Sequence, residues 1–267
     1  MNRLKLDPLR HLAVPAALLA VIAFNVLAVV LPLAGRSPQQ VSALFENMFT
    51  PAGWAFSIWS LIYLGLTCFT LYQFLPSQAN DRVVQQVAVL FTASCLLNVA
   101  WLFAWHNLWI GVSFIIMLAL LACVAFIHWR VSSRAQDRTL AHRLMVALPF
   151  RIYLGWLLVA TMANFMAWQV ARGADWAPLG EAGHTLVLFA ITVVLGVIAL
   201  LLRHDLFLNL VLIWALVAVA FGPAASGLTM AGALVAVALI IAAIVWQVLR
   251  RRDSTTPPAA ARRNEAA

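Results

Sequence analysis

The sequence predicts an all-α integral membrane protein, a polytopic bundle of about eight transmembrane helices. Three observations carry this. The 267 residues are 64% hydrophobic and 10% charged, with mean hydropathy +0.95, beyond what a soluble domain of this size carries. Apolar runs recur at 12–34, 51–75, 83–105, 108–131, 148–170, 183–202, 206–225 and 229–249, each near the ~20 residues that a bilayer core requires. Basic residues also segregate by side. With the N-terminus inside, Arg3, Lys5, Arg10, Arg82, Arg130, Arg134, Arg138, Arg143, Arg203, Arg250, Arg251, Arg252, Arg262 and Arg263 fall inside, and only Arg36 and Arg172 fall outside. Arg151 starts the fifth run beside an inner loop. This is the positive-inside pattern of an even number of spans with both termini cytoplasmic, expected in a bacterial cytoplasmic membrane. Topology and anionic headgroups account for the net charge of +8, so nucleic acid is not expected as a partner.

The first run has a basic start and ends Leu33-Ala34-Gly35, as a signal peptide does. It far exceeds the usual ~7–15-residue apolar region and is expected to be a retained helix. The second run opens on a Pro51-Ala52-Gly53 turn and carries Trp54, Phe56, Trp59 and Tyr63. Phe56, Trp59 and Tyr63 are spaced i, i+3, i+7 and share one helical face. An interfacial aromatic belt accounts for Trp54 but not for Tyr63, about 18 Å along the helix at ~1.5 Å per residue. Rings on one face, ending in an indole N–H and a phenol O–H, suit a flat, mostly apolar ligand.

The third run places Ser94, Asn98, Trp101 and Trp105 on one face, and the fifth does the same with Tyr153, Trp156, Ala160, Asn164 and Trp168. Counted from the outer ends at ~1.5 Å per residue, Asn164 lies about 9 Å deep, Asn98 about 10 Å, Trp59 about 12 Å and Trp156 about 21 Å. Three independent stripes therefore meet in the outer half of the bilayer. If they face inward, they wall one aromatic cavity with two amides. Asn98 and Asn164 are also open to a second reading, hydrogen bonds between helices. The loop at 35–50, with Phe45, Glu46 and Phe49, is placed to cover the outer mouth.

The sixth to eighth runs are nearly bare of polar groups, Asn209 excepted, and eight of the eleven Trp precede residue 170. The chain is therefore expected to divide into a ligand-binding bundle at 1–172, three added transmembrane helices at 173–250, and a disordered basic cytoplasmic tail at 251–267. The turn at 222–228 is weakly polar, which makes the last two helices the least distinct pair. Cys68, Cys95 and Cys123 lie in apolar runs, odd in number, and read as buried small residues. The six His are scattered without metal-ligand spacing.

Three stretches together resemble one family. Pro51-Ala52-Gly53-Trp54-Ala55-Phe56-Ser57-Ile58-Trp59-Ser60-Leu61-Ile62-Tyr63, then Leu97-Asn98-Val99-Ala100-Trp101, then Tyr153-Leu154-Gly155-Trp156 with Ala160-Thr161-Met162-Ala163-Asn164 and Trp168, are similar to the motifs of the TspO/MBR family of tryptophan-rich sensory proteins. The likeness covers 12–170. Trp54 and Trp59 are five apart where the family usually has six with a proline between. Ile152 stands where a proline is usual, and Phe165 and Gln169 occupy the places of a sterol-recognition pattern. Helices six to eight have no counterpart in five-helix members, which suits a longer subgroup.

The resemblance implies a membrane sensor or carrier of tetrapyrroles such as porphyrin or haem, taken as ligand rather than cofactor. The expected ligand-binding residues are Trp54, Phe56, Trp59, Tyr63, Asn98, Trp101, Tyr153, Trp156, Ala160 and Asn164, with no catalytic and no metal site. A hydrophobic small molecule and membrane lipids are the expected partners, and a homodimer is open. The alternative is a transporter or permease of a small hydrophobic solute, against which stand the lack of an internal repeat and of helices broken midway. An enzyme is not expected, since no acid–base or nucleophilic set is visible at membrane depth.

Overall fold

A computed structural model describes residues 12–31, 33–78, 81–132 and 139–255. The arginines and lysine at positions 3, 5, 10, 134, 138, 262 and 263, and the tail from 256, lie outside them. The chain is an all-α polytopic membrane protein. Its helices are α1 (Val14–Val30), α2 (Pro38–Leu44), α3 (Ile58–Tyr72), α4 (Arg82–His106), α5 (Ile110–Ser132), α6 (Leu140–His142), α7 (Leu148–Ala171), α8 (Gly180–Arg203), α9 (Leu206–Ala220) and α10 (Gly227–Thr255).

Eight of these correspond to the eight apolar runs. Six stretches are long and apolar enough to cross a bilayer, while α1 and α9 are shorter. The seventh run was expected to reach 225; α9 stops at Ala220, where Phe221, Gly222 and Pro223 form a turn. The fifth span starts earlier than expected. Thr139 caps α6 by accepting from the His142 N–H. A wider turn at Arg143–Ala147 then carries the helix into α7, where Pro149 has no N–H to return to the preceding turn. α10 continues to Thr255, so residues 251–255, expected in the tail, are helical.

Consecutive spans run antiparallel. The lid end of the bundle gathers α2, the segment 45–57, and the turns after α4, α7 and α9. The described arginines 82, 130, 143, 151, 203, 250 and 251 lie toward the opposite end. α7 is the central helix, packed on α3, α5 and α9. Gly155 permits the close approach to α9, for a Cβ there would meet the Leu208 carbonyl and Val211 at 3.0 Å. Faces turned away from the core carry Leu64, Ile115 and Leu202, all exposed, as lipid contact requires.

Candidate ligand site at the lid end

Trp59 is the hub of an aromatic cluster. Its ring stacks on Tyr63 (centroids 5.5 Å apart) and on Trp101 (6.2 Å), and meets Tyr153 (5.9 Å) and Trp156 (6.3 Å) edge-on. Offset and edge-to-face pairs of this kind are the favoured ring geometries. Helical periodicity brings them together, because α3, α4 and α7 each turn one aromatic stripe inward.

The cluster separates two spaces. An inner cavity of about 40 Å³ is lined by Phe56, Trp59, Trp101, Trp105 and Trp156, by Val159, Ala160, Ala163, Asn164 and Ala167, and by Ser42, Asn47, Thr50 and Pro51 of the lid. It has room for about three waters at ~10–15 Å³ each. A groove of about 410 Å³ runs between α1 and α3, bounded by Asn25, Val26, Val29, Trp54, Ser57, Ser60 and Tyr63. Phe56, Trp59 and Trp101 line both spaces and form the wall between them. Of these two spaces, the groove has the size of an ordinary ligand pocket, ~300–1,000 Å³.

The ten residues expected from the sequence fall into three groups. Phe56, Trp59, Trp101, Trp156, Ala160 and Asn164 line the inner cavity. Trp54 and Tyr63 border the groove alone, and Trp54 packs edge-on against Trp214 with centroids 4.6 Å apart. Asn98 and Tyr153 line neither space. Asn98 is fully buried and ties helices together: its Nδ2 donates to the Tyr153 hydroxyl at 3.3 Å, and its Oδ1 accepts from Asn25 Nδ2 at 3.0 Å. The Tyr63 hydroxyl lies beside Asn98 without a well-aligned hydrogen bond. Asn164 faces Ser113, whose Oγ lies 3.1 Å from its Oδ1 and 2.8 Å from the Ile110 carbonyl.

Two indole N–H groups, Trp101 Nε1 and Trp156 Nε1, are buried without an acceptor. Such donors are costly to leave unpaired, and both belong to side chains that line the inner cavity. Sequence reasoning missed Asn25, Ser42, Asn47 and Thr50; Trp105 stood on the stripe of the third run but outside the expected ligand-binding set. Asn25 carried a signal, as a lone amide in an apolar run; the lid residues carried none beyond their position before the Pro-Gly turn.

The lid is built locally. Ser37 and Gln40 form a reciprocal capping box, with Pro38 opening α2. Trp105 Nε1 donates to the Pro38 carbonyl at 3.2 Å and fastens α2 to α4. Asn47 and Thr50 close a turn, the Asn47 N–H donating to Thr50 Oγ1 and the Phe49 N–H to Asn47 Oδ1, both at 2.9 Å.

A second polar cluster lies at the arginine-rich end, away from both spaces. Asp205 is fully buried, its Oδ2 2.7 Å from His128 Nε2 and 3.5 Å from Arg151 Nε, while its Oδ1 caps α9 through the Leu208 N–H. This carboxylate joins α5 and α7 to α9.

A family model described as "TSPO-like protein" matches residues 11–248, past the 12–170 over which the three motifs extend and into α10. No curated protein and no solved structure matches the chain.

Proposed function

The chain belongs to the TSPO-like family, and from that premise we propose that it binds a flat hydrophobic ligand of the tetrapyrrole class, porphyrin or haem, as a membrane-embedded sensor or carrier. At family level it is a membrane binder of hydrophobic molecules. The observation that carries the finer reading is the Trp59 cluster. Four rings converge on one indole that forms the wall between a tight inner cavity and a roomy groove.

A planar macrocycle fills the groove and reaches the inner cavity when the Trp59 ring turns. Stacking supplies affinity, and the unpaired indole N–H groups of Trp101 and Trp156 supply donors for acceptor atoms at the ligand edge. The charge pattern supports a cytoplasmic membrane with both termini inside and the lid outside. The role proposed here is binding, through stacking and a few hydrogen bonds, rather than chemistry. A permease would need alternating openings, and the sequence shows neither the internal repeat nor the helices broken midway that such carriers use.

The test is a titration of purified protein with protoporphyrin, haem and cholesterol, followed by the porphyrin absorption band and by Trp fluorescence. Saturable binding of a tetrapyrrole, competed by a second tetrapyrrole, is expected. Saturation by the sterol alone, or by none of the three, overturns the proposal.

A further inference from the structure

We propose that α8 and α9 are the frame that holds the lid of the ligand site, with Glu181 and Trp214 as positioning residues. This rests on the ligand reading above. The segment 45–57 gives the inner cavity Asn47, Thr50, Pro51 and Phe56. It has little regular structure of its own, one turn and one 3-10 stretch at Gly53–Ser57, and such segments lie at the low-stability end of a protein.

Its other side is fastened throughout by residues between 181 and 222. The Met48 N–H donates to Glu181 Oε1 at 2.6 Å. Phe49 packs on Phe189, centroids 5.6 Å apart. The Ala52 N–H donates to the Ala218 carbonyl at 2.8 Å. Trp214 stands edge-on to Trp54 and gives its indole N–H to the Ala55 carbonyl at 3.4 Å. At Gly222 a Cβ would fall 2.1 Å from the Thr50 carbonyl oxygen, so only glycine fits beneath the lid.

These contacts alternate along the segment, and none of the framing groups lines the inner cavity. They set where Thr50, Pro51 and Phe56 stand without touching a ligand there. A preformed lid removes an ordering cost from binding, so loosening it shows as faster ligand loss.

The experiment uses the full chain in nanodiscs with Glu181→Ala, Glu181→Gln, Trp214→Ala and, as bystander, Trp246→Ala on the exposed face of α10. Amide hydrogen exchange is read over residues 47–56. Cavity access is read by maleimide labelling of Ala163→Cys in a background with Cys68, Cys95 and Cys123 changed to alanine. Protoporphyrin dissociation is read by stopped flow. Glu181→Ala and Trp214→Ala should each raise all three rates on the order of tenfold, the size of one hydrogen bond to a charged or buried group. Glu181→Gln keeps an acceptor for the Met48 N–H and should restore them, and Trp246→Ala should change none. Unaltered exchange in both alanine variants overturns the frame. Faster exchange with unaltered labelling and dissociation overturns the positioning role and leaves only packing. If the parent chain takes up no porphyrin, the ligand reading falls, while exchange and labelling still decide whether α8 and α9 hold the lid over the cavity.

Discussion

Trp59→Ala removes the ring on which the site converges. In the free protein it deletes contacts with Tyr63, Trp101, Tyr153 and Trp156; Trp59 is half-buried, so the loss of stability should fall below the about 3–5 kcal/mol of a fully buried Trp→Ala change. In the complex it deletes one stacking partner, about 0.5–1.5 kcal/mol beyond buried area. It also deletes the area the ligand covers; half of one ring face, roughly 50 Å², adds about 1.3 kcal/mol at ~25 cal/mol per Å². Together these weaken porphyrin binding about 20- to 100-fold, at ~1.4 kcal/mol per tenfold. Loss of the wall joins the inner cavity to the groove, so association should quicken while dissociation quickens more. Trp59→Phe keeps a ring, folds more securely, and should retain most of the affinity. The assay is equilibrium titration and stopped flow with protoporphyrin, with circular dichroism as the folding control. Equal affinities for Trp59→Ala, Trp59→Phe and the parent, or a larger loss from Trp246→Ala, would refute the reasoning and make the stripe a packing feature.

Asn98→Ala severs the bridge between α1, α4 and α7; it should lower the unfolding free energy by about 1–3 kcal/mol in denaturant titration and leave porphyrin affinity within threefold. Asp205→Ala leaves His128 and Arg151 facing an empty site and should destabilise by about 3–5 kcal/mol, read as a lower thermal midpoint in detergent, with the lid-end site unchanged in any protein that remains folded. A C-terminal fusion to a reporter active only in the cytoplasm should work, and one active only in the periplasm should be silent; the reverse would break the topology assigned from the arginines.

Periodicity made most of the cavity legible. Phe56 and Trp59 on one stripe, and Trp156, Ala160 and Asn164 on another, do share a space, because an α-helix carries its i, i+4, i+7 residues to one face wherever it packs. The same rule could not say which atoms a polar side chain meets. Asn98 lies on the inward stripe of α4, yet its amide is taken up by Asn25 and Tyr153, and Asn25 stands alone in an apolar run with no stripe to reveal it. Hydropathy located eight apolar helices but overran α9, because Phe221 is apolar while the Gly222-Pro223 turn decides the end. Asp205 reads as an ordinary residue between two runs. Its burial arises only when α5 and α7 close over it, and contacts between segments so distant in the chain leave no local pattern.

The fastening of the lid sets an order of assembly. Met48 and Glu181 are 133 residues apart, and Ala55 and Trp214 are 159 apart. At ~5–20 residues per second of synthesis, the segment that roofs the cavity emerges roughly 7 to 30 s before the groups that hold it. During that interval α1 to α7 occupy the bilayer with an unfinished roof, and the aromatic cavity is open at the lid end. The roof is thus completed by helices made late in synthesis, and a chain halted before α9 would display its aromatic rings without enclosing them.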